Sequence, residues 1–290
     1  MGSFPAVEVA TSRRSVVVAL AWVALLLPLA AGARAQTPVY LTAWGTRGSG
    51  PGQFNLPYQI ALDEAGNVCV SDTHNYRIEV FDANGVFLRL CGSMGSELGQ
   101  FLYPEGIVAS PDGCVYVVDA GSYRIQFFTP DGTFVGWWGG QGTDVTAFFE
   151  PHGLAADLAG NLYTANGPGV DSHLADGEFR QLWGAIGPNQ FWSAWGVAVD
   201  GNGQLYGTDQ QHQQVKVFDN VGSIERGGAT PSGTGPLGIA LDPGGNTVYV
   251  AAGYVQAYST TGAKLYALGA AGSGAGTLTG RPAWRSDATA

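Results

Sequence analysis

Tyr58, Glu105, His152 and Trp195 hold one equivalent place in successive copies of a repeat, and Leu237 ends the series. The first three follow one another at intervals of 47 residues. A phenol, a carboxylate, an imidazole and an indole at one position give an apolar wall with few polar groups, the usual make-up of a small-molecule site. A carboxylate beside an imidazole is also a start toward a divalent-metal site for lyase or hydrolase chemistry. A second set, Asp72, Asp119, Asn166 and Asp209, ends the run that follows in each copy. Asp72 and Asp119 stand five residues before Arg77 and Arg124. That spacing fits a brace for the local loop, because Asp at turns bonds nearby N–H groups. The expected ligand-binding set at the channel mouth is Tyr58, Glu105, His152 and Trp195, with Asp72, Asp119 and Asp209 beside them. No catalytic residue is assigned, and no Ser/His/Asp or Cys/His motif has a distinctive spacing.

The elements that must position these residues are short. Copy one holds four apolar runs, Gln59–Asp63, Asn67–Ser71, Arg77–Phe81 and Val86–Cys91, separated by turn residues such as Glu64-Ala65-Gly66 and Asp82-Ala83-Asn84-Gly85. Runs this short and rich in Val, Ile, Phe and Tyr are strands. Four strands at a period in the forties make a propeller blade. The fold class is therefore all-β, with five complete blades over residues 36–269. In copy three, Gly167-Pro168-Gly169-Val170-Asp171 replaces the usual third strand, and an irregular loop is expected there.

The loops joining fourth to first strands and second to third strands gather on one face of such a ring. The residue before the first-strand glycine then points to the central channel. Val39–Trp44 reads as a fourth strand with no blade before it, expected to close the ring. Residues 270–290 begin a sixth blade or form a tail. A six-blade design with an incomplete last blade is expected, because blade five already owns a fourth strand. A five-blade ring with a surplus strand is the alternative.

Residues 1–35 have the order of an export signal: Arg13-Arg14, an apolar run Val16–Leu29, then Ala33-Arg34-Ala35. That run is shorter than the roughly 20 residues of a spanning helix. Cleavage after Ala35 and a secreted or periplasmic location are expected, with no membrane span in the mature chain. The whole chain carries a formal net charge of −10. Its only lysines are Lys216 and Lys264. Nucleic-acid binding draws its affinity from phosphate neutralisation, so that class is excluded. Cys69, Cys91 and Cys114 read as small buried apolar residues without a disulfide or metal spacing. His74, His173 and His212 are expected on exposed loops or rims. Trp44, Trp137, Trp138 and Trp183 are expected to pack between blades.

The pattern Phe-x-x-Pro-x-Gly-Ile, then Gly-Asn-x-Tyr-Val-x-Asp, then Asn-x-Arg-Ile-x-x-Phe resembles the NHL-repeat propellers. Phe101, Pro104, Gly106-Ile107, Val115-Tyr116-Val117-Val118-Asp119 and Tyr123-Arg124-Ile125 carry the match in copy two. The resemblance implies a six-bladed propeller in most members and a surface for protein or ligand binding. Pro151-His152-Gly153-Leu154 also resembles the peptidyl-hydroxyglycine amidating lyases. In those enzymes three blades each supply such a His to zinc; here only His152 matches. The reading is an exported scaffold, most simply a monomer, binding a protein, peptide or glycan through its channel face. An enzyme is not the leading reading, and no cofactor is expected. The alternatives are a metal-dependent lyase or hydrolase, with calcium or zinc at His152 and Glu105, and a structural envelope component.

Overall fold

The turns that cut the chain into strands are built by its own side chains. Asp63 Oδ1 accepts the Asn67 N–H at 2.8 Å, and Asp157, Asp200 and Asp242 repeat that bond to Asn161, Gln204 and Asn246. Each folds the chain back after one strand, so the next pairs antiparallel. The computed structural model describes residues 43–142, 144, 147–184, 190–229 and 235–268. These form five four-stranded antiparallel sheets, each strand paired with the next in sequence. Blade one is Pro57–Leu62, Val68–Asp72, Arg77–Phe81 and Phe87–Cys91. Blade two is Pro104–Ala109, Val115–Asp119, Arg124–Phe128 and Phe134–Gly139. Blade three is Pro151–Ala156, Leu162–Asn166, Gly169–His173 and Phe179–Trp183. Blade four is Ala194–Val199, Leu205–Asp209, Gln214–Phe218 and Ile224–Ala229, and blade five is Gly238–Leu241, Thr247–Ala251, Val255–Ser259 and Lys264–Leu268. Among the described residues no helix is long and apolar enough to cross a membrane.

The third strand of blade three corrects the expectation of an irregular loop. Gly167 adopts φ 57°, so Gly167-Pro168 turns as a two-residue hairpin between Asn166 and Gly169. All five residues of Gly169–His173 are buried in the sheet. His173 is therefore a core residue with 1% exposure, not a rim residue. His74 and His212 are exposed, as expected.

The core lies between blades. Cys69, Ile78 and Val80 of blade one pack against Ile107, Val117 and Phe128 of blade two. Similar clusters join blades two and three, three and four, and four and five. The three cysteines are free, with Cys69 and Cys91 buried and Cys114 half-buried. Trp138 packs as expected, against Phe148 of the lead-in to blade three, and Trp183 lies in the cluster that joins blades three and four. Trp137 does not; it is 47% exposed on the outer strand of blade two.

The inner strands approach each other closely. A Cβ on Gly106 would stand 2.4 Å from the His152 carbonyl oxygen, and one on Gly153 2.5 Å from that of Trp195. Only glycine admits such backbone contact. At the same place blade one has Gln59.

The free face of blade one is covered by Trp44 and Phe54. The Trp44 ring sits 6.3 Å from Phe81 and fills the space over Gly85, as Trp138 does over Gly177. Trp44 thus stands where a preceding blade would end its fourth strand. Ala43 and Trp44 themselves are not in a strand; the nearest pairing is Thr46–Arg47 with Gln53–Phe54. Residues 39–42 of the expected closing strand, residues 1–35 of the expected export signal, and residues 270–290 lie outside the described residues. Leu62 on the inner strand of blade one is 40% exposed, and Ala240 of blade five is exposed too. Inner strands between two blades are better buried.

Candidate functional site

The residue ending each second strand staples the loop that leads into its own blade. Asp72 Oδ1 accepts the Asn55 N–H at 2.6 Å, and Asp119 Oδ1 accepts Leu102 and Tyr103 N–H at 2.9 and 3.0 Å. Asn166 holds Phe149 and Glu150 the same way, and Asp209 holds Trp192 and Ser193. Each staple grips the chain two or three residues before an axial side chain. In blade one Arg77 completes the brace. Its guanidinium donates to Asp72 and Glu79 and to the carbonyls of Ser49, Gly50 and Gln53. Arg124 repeats this on Ser96, Glu97 and Gln100.

Asp72, Asp119 and Asp209 are each fully buried and committed to these bonds. Burial pushes Asp72 up against the bonds from Asn55, Asn75 and Arg77. For Asp209 burial acts in the same sense, but bonds from Lys216 and His212 outweigh it and the carboxyl lies below its ordinary value. These three aspartates act as braces, bonded to their lead-in loops and to Arg77, Arg124 and Lys216.

The axial set itself is brought together. His152 Nδ1 lies 2.7 Å from Glu105 Oε2. The imidazole stacks on the Trp195 indole, with centroids 4.0 Å apart and planes 12° from parallel. Tyr58 stacks on the same indole from blade one, at 6.2 Å and 28°. Trp195 Nε1 donates to Ser193 Oγ at 2.8 Å, which fixes the indole plane. The Glu105 backbone is held from blade one, where Ser71 Oγ donates to its carbonyl at 2.6 Å. Leu237, the fifth member, is half-buried and offers its carbonyl to Thr208.

Sequence reasoning missed Gln59. Its amide reaches across the axis to blade three, donating to the Leu154 carbonyl at 2.9 Å and accepting the Leu154 N–H at 3.4 Å. The signal was present: Gln59 replaces the first-strand glycine of every other blade. A long amide at a position where the neighbours need no side chain must project into the space between them.

An ionised Glu105 accepts the Nδ1 proton of His152, which leaves Nε2 of the neutral ring as an acceptor or base. One carboxylate and one imidazole, already bonded to each other, are the donors at the axis. Among the described residues no three His, Cys, Asp or Glu side chains converge as a metal-binding group. The Tyr58 hydroxyl is buried and has no hydrogen-bond partner among the described residues. Burial, then the charge of Glu105, raises its pKa well above the ordinary value. A buried hydroxyl without a partner costs roughly 1–3 kcal/mol. Tyr58→Phe should therefore raise stability by about 1 kcal/mol. Urea unfolding of the two proteins measures it, and a loss of stability would show that the hydroxyl is bonded.

No family model matches the chain. Human NHL repeat-containing protein 3 is 47% identical over 45 residues, which is 15% of this chain and 13% of that protein. The human E3 ubiquitin-protein ligase TRIM32 is 42% identical over 55 residues, 19% of this chain and 8% of that protein. The chain thus aligns with less than one-seventh of either relative's length, about the span of one repeat. Among solved structures, a streptogramin B lyase superposes with a TM-score of 0.57 at 18% identity, covering 72% of this chain and 67% of its own. That likeness is one of fold.

Proposed function

The chain is a β-propeller of the NHL type, and from that premise we propose that it is a binding scaffold whose contact face is the axial mouth. The observation that carries this reading is the stack of Tyr58, Trp195 and His152 with Glu105 bonded to the imidazole. Repeat architecture alone predicts similar residues in every blade, as at Asp63, Asp157, Asp200 and Asp242. The axial position instead gathers unlike side chains that touch. Half-buried aromatic faces with two polar groups suit a segment of protein, peptide or glycan. The scaffold is proposed to be exported, shorn of residues 1–35, and to act as a monomer. Arrays of immobilised peptides and glycans test it: signals seen with the purified chain should vanish with His152→Ala and Trp195→Ala. A structural envelope component would give no axial-dependent signal.

A second reading, a metal-dependent lyase or hydrolase, is favoured by the Glu105–His152 bond. A carboxylate orienting an imidazole is what both a general base and a metal ligand need. Metal analysis of the purified chain separates the readings. Stoichiometric zinc or calcium, lost in His152→Ala, would favour the enzyme.

A further inference from the structure

A cleft of about 430 Å³ lies between the lead-in loops of blades three and four, apart from the axial stack. Its walls are Phe149, Glu150, Pro168, Trp192 and His212, and Phe191 lines its floor. Phe191 is fully buried, whereas Trp192 is 65% exposed and Phe149 57%. Two large aromatic rings left in water on one cleft are not explained by packing. The Trp192 ring is fixed by an edge contact with His212, at 5.3 Å and 67°.

The polar groups of the cleft share one character. His212 Nδ1 lies 2.7 Å from Asp209 Oδ2, so the ring donates there and its neutral form presents Nε2 as an acceptor. Glu150 is exposed and adds a carboxylate. The nearby Lys216 ammonium is already matched by Asp209 at 2.8 Å and lies against the Phe191 ring at 5.0 Å. Glu150 therefore sets the net charge of the cleft. Acceptors, a negative charge and an open indole face together fit a flat cation that donates in its plane. Among side chains that is the guanidinium, which stacks on aromatic faces and forks onto carboxylates. The acidic chain, with its net charge of −10, draws a basic partner toward the cleft.

We infer that this cleft receives an arginine side chain of a basic peptide, stacked on Trp192 and paired with Glu150. This goes beyond the axial reading and does not need it. The test uses the purified chain and a fluorescein-labelled glycine-rich peptide with one central arginine, followed by polarisation at low salt. A matched citrulline peptide keeps the shape and removes the charge. The arginine peptide should bind about five-fold more tightly than the citrulline one. Trp192→Ala and Glu150→Gln should each weaken it by about five-fold. Both sites are exposed, so the fold is kept, and circular dichroism checks that. Trp137→Ala, on the outer strand of blade two and in neither site, should bind the peptide as wild type does. The inference is overturned if the arginine peptide shows no saturable binding, if citrulline binds equally, or if both cleft variants bind like wild type.

Discussion

Arg77→Ala is expected to cost the fold about 3–5 kcal/mol, the usual result of stripping one partner from a buried ionic cluster. Arg77 is 9% exposed, and Asp72 and Glu79 beside it are fully buried. Its removal leaves two buried carboxylates without their cation and takes a guanidinium N–H from each of the Ser49, Gly50 and Gln53 carbonyls of the lead-in loop. The loss should shrink as the pH falls. Burial already raises Asp72 and Glu79 above their ordinary values even with Arg77 present. A carboxyl with a raised folded-state pKa takes up a proton on folding, so its cost is greatest above that pKa and is relieved below it. In the variant both groups lose the cation that opposed burial, and protonation rescues them sooner. Denaturant unfolding of wild type and variant from neutral pH down toward the carboxylate range measures the gap. A gap that is small at pH 7, or that widens in acid, would contradict this account.

The second large effect sits on the third strand of blade three. Asp171 is 6% exposed, bonded to Asn166, and in the register place where blade one has Glu79. Blade one also has Arg77 two residues earlier; here that residue is Gly169, and burial lifts Asp171 to about 6. His173, two residues on, has no hydrogen-bond partner for either ring nitrogen among the described residues, and burial lowers it to about 4. The two act in opposite senses. The raised Asp171 destabilises the fold above pH 6, and that cost is relieved as pH falls from 6 toward its unfolded value. The depressed His173 is harmless at neutral pH, but stability is lost as pH falls from its unfolded value toward 4. Each shift corresponds to roughly 3 kcal/mol. In wild type the two largely offset between those limits. His173→Phe should give a protein that gains stability on acidification from pH 7 to 4. Asp171→Asn should give one that is more stable at pH 7 and loses stability over the same range. Thermal melts across that range check both, and parallel pH profiles for the two variants would refute the assignment.

Much of this was legible in the sequence, for a physical reason. The spacing of Pro57, Pro104 and Pro151 and the recurrence of the turn aspartates are imposed by backbone geometry that every blade must repeat. Residues that break the repeat were the harder ones. In the sheet register His173 stands where blades one, two and four have Phe81, Phe128 and Phe218, but the short Gly167-Pro168 turn shifts it two residues off the 47-residue spacing and hid the match. Its polarity argued for the surface, and packing overrode polarity. Gly167-Pro168 looked like a loop because it lacks Tyr-Arg-Ile, yet a two-residue hairpin needs only the turn and buried strands on either side. The role of Asp72 and Asp119 as braces followed from the five-residue spacing to Arg77 and Arg124. The convergence of Tyr58, Glu105, His152 and Trp195 followed from the repeat, but their mutual bonding did not. That depends on Gln59, Ser71 and Ser193 holding neighbouring backbones and rings, and no periodicity carries those contacts.

The axial mouth as the contact face is most directly tested by calorimetric titration of the strongest array ligand into four proteins: wild type, His152→Ala, Trp195→Ala and the outer-rim variant Trp137→Ala. The account predicts that the two axial variants, folded by circular dichroism, bind about ten-fold or more weakly, while Trp137→Ala matches wild type. Wild-type affinity in both axial variants would contradict it and place the contact on another face of the propeller.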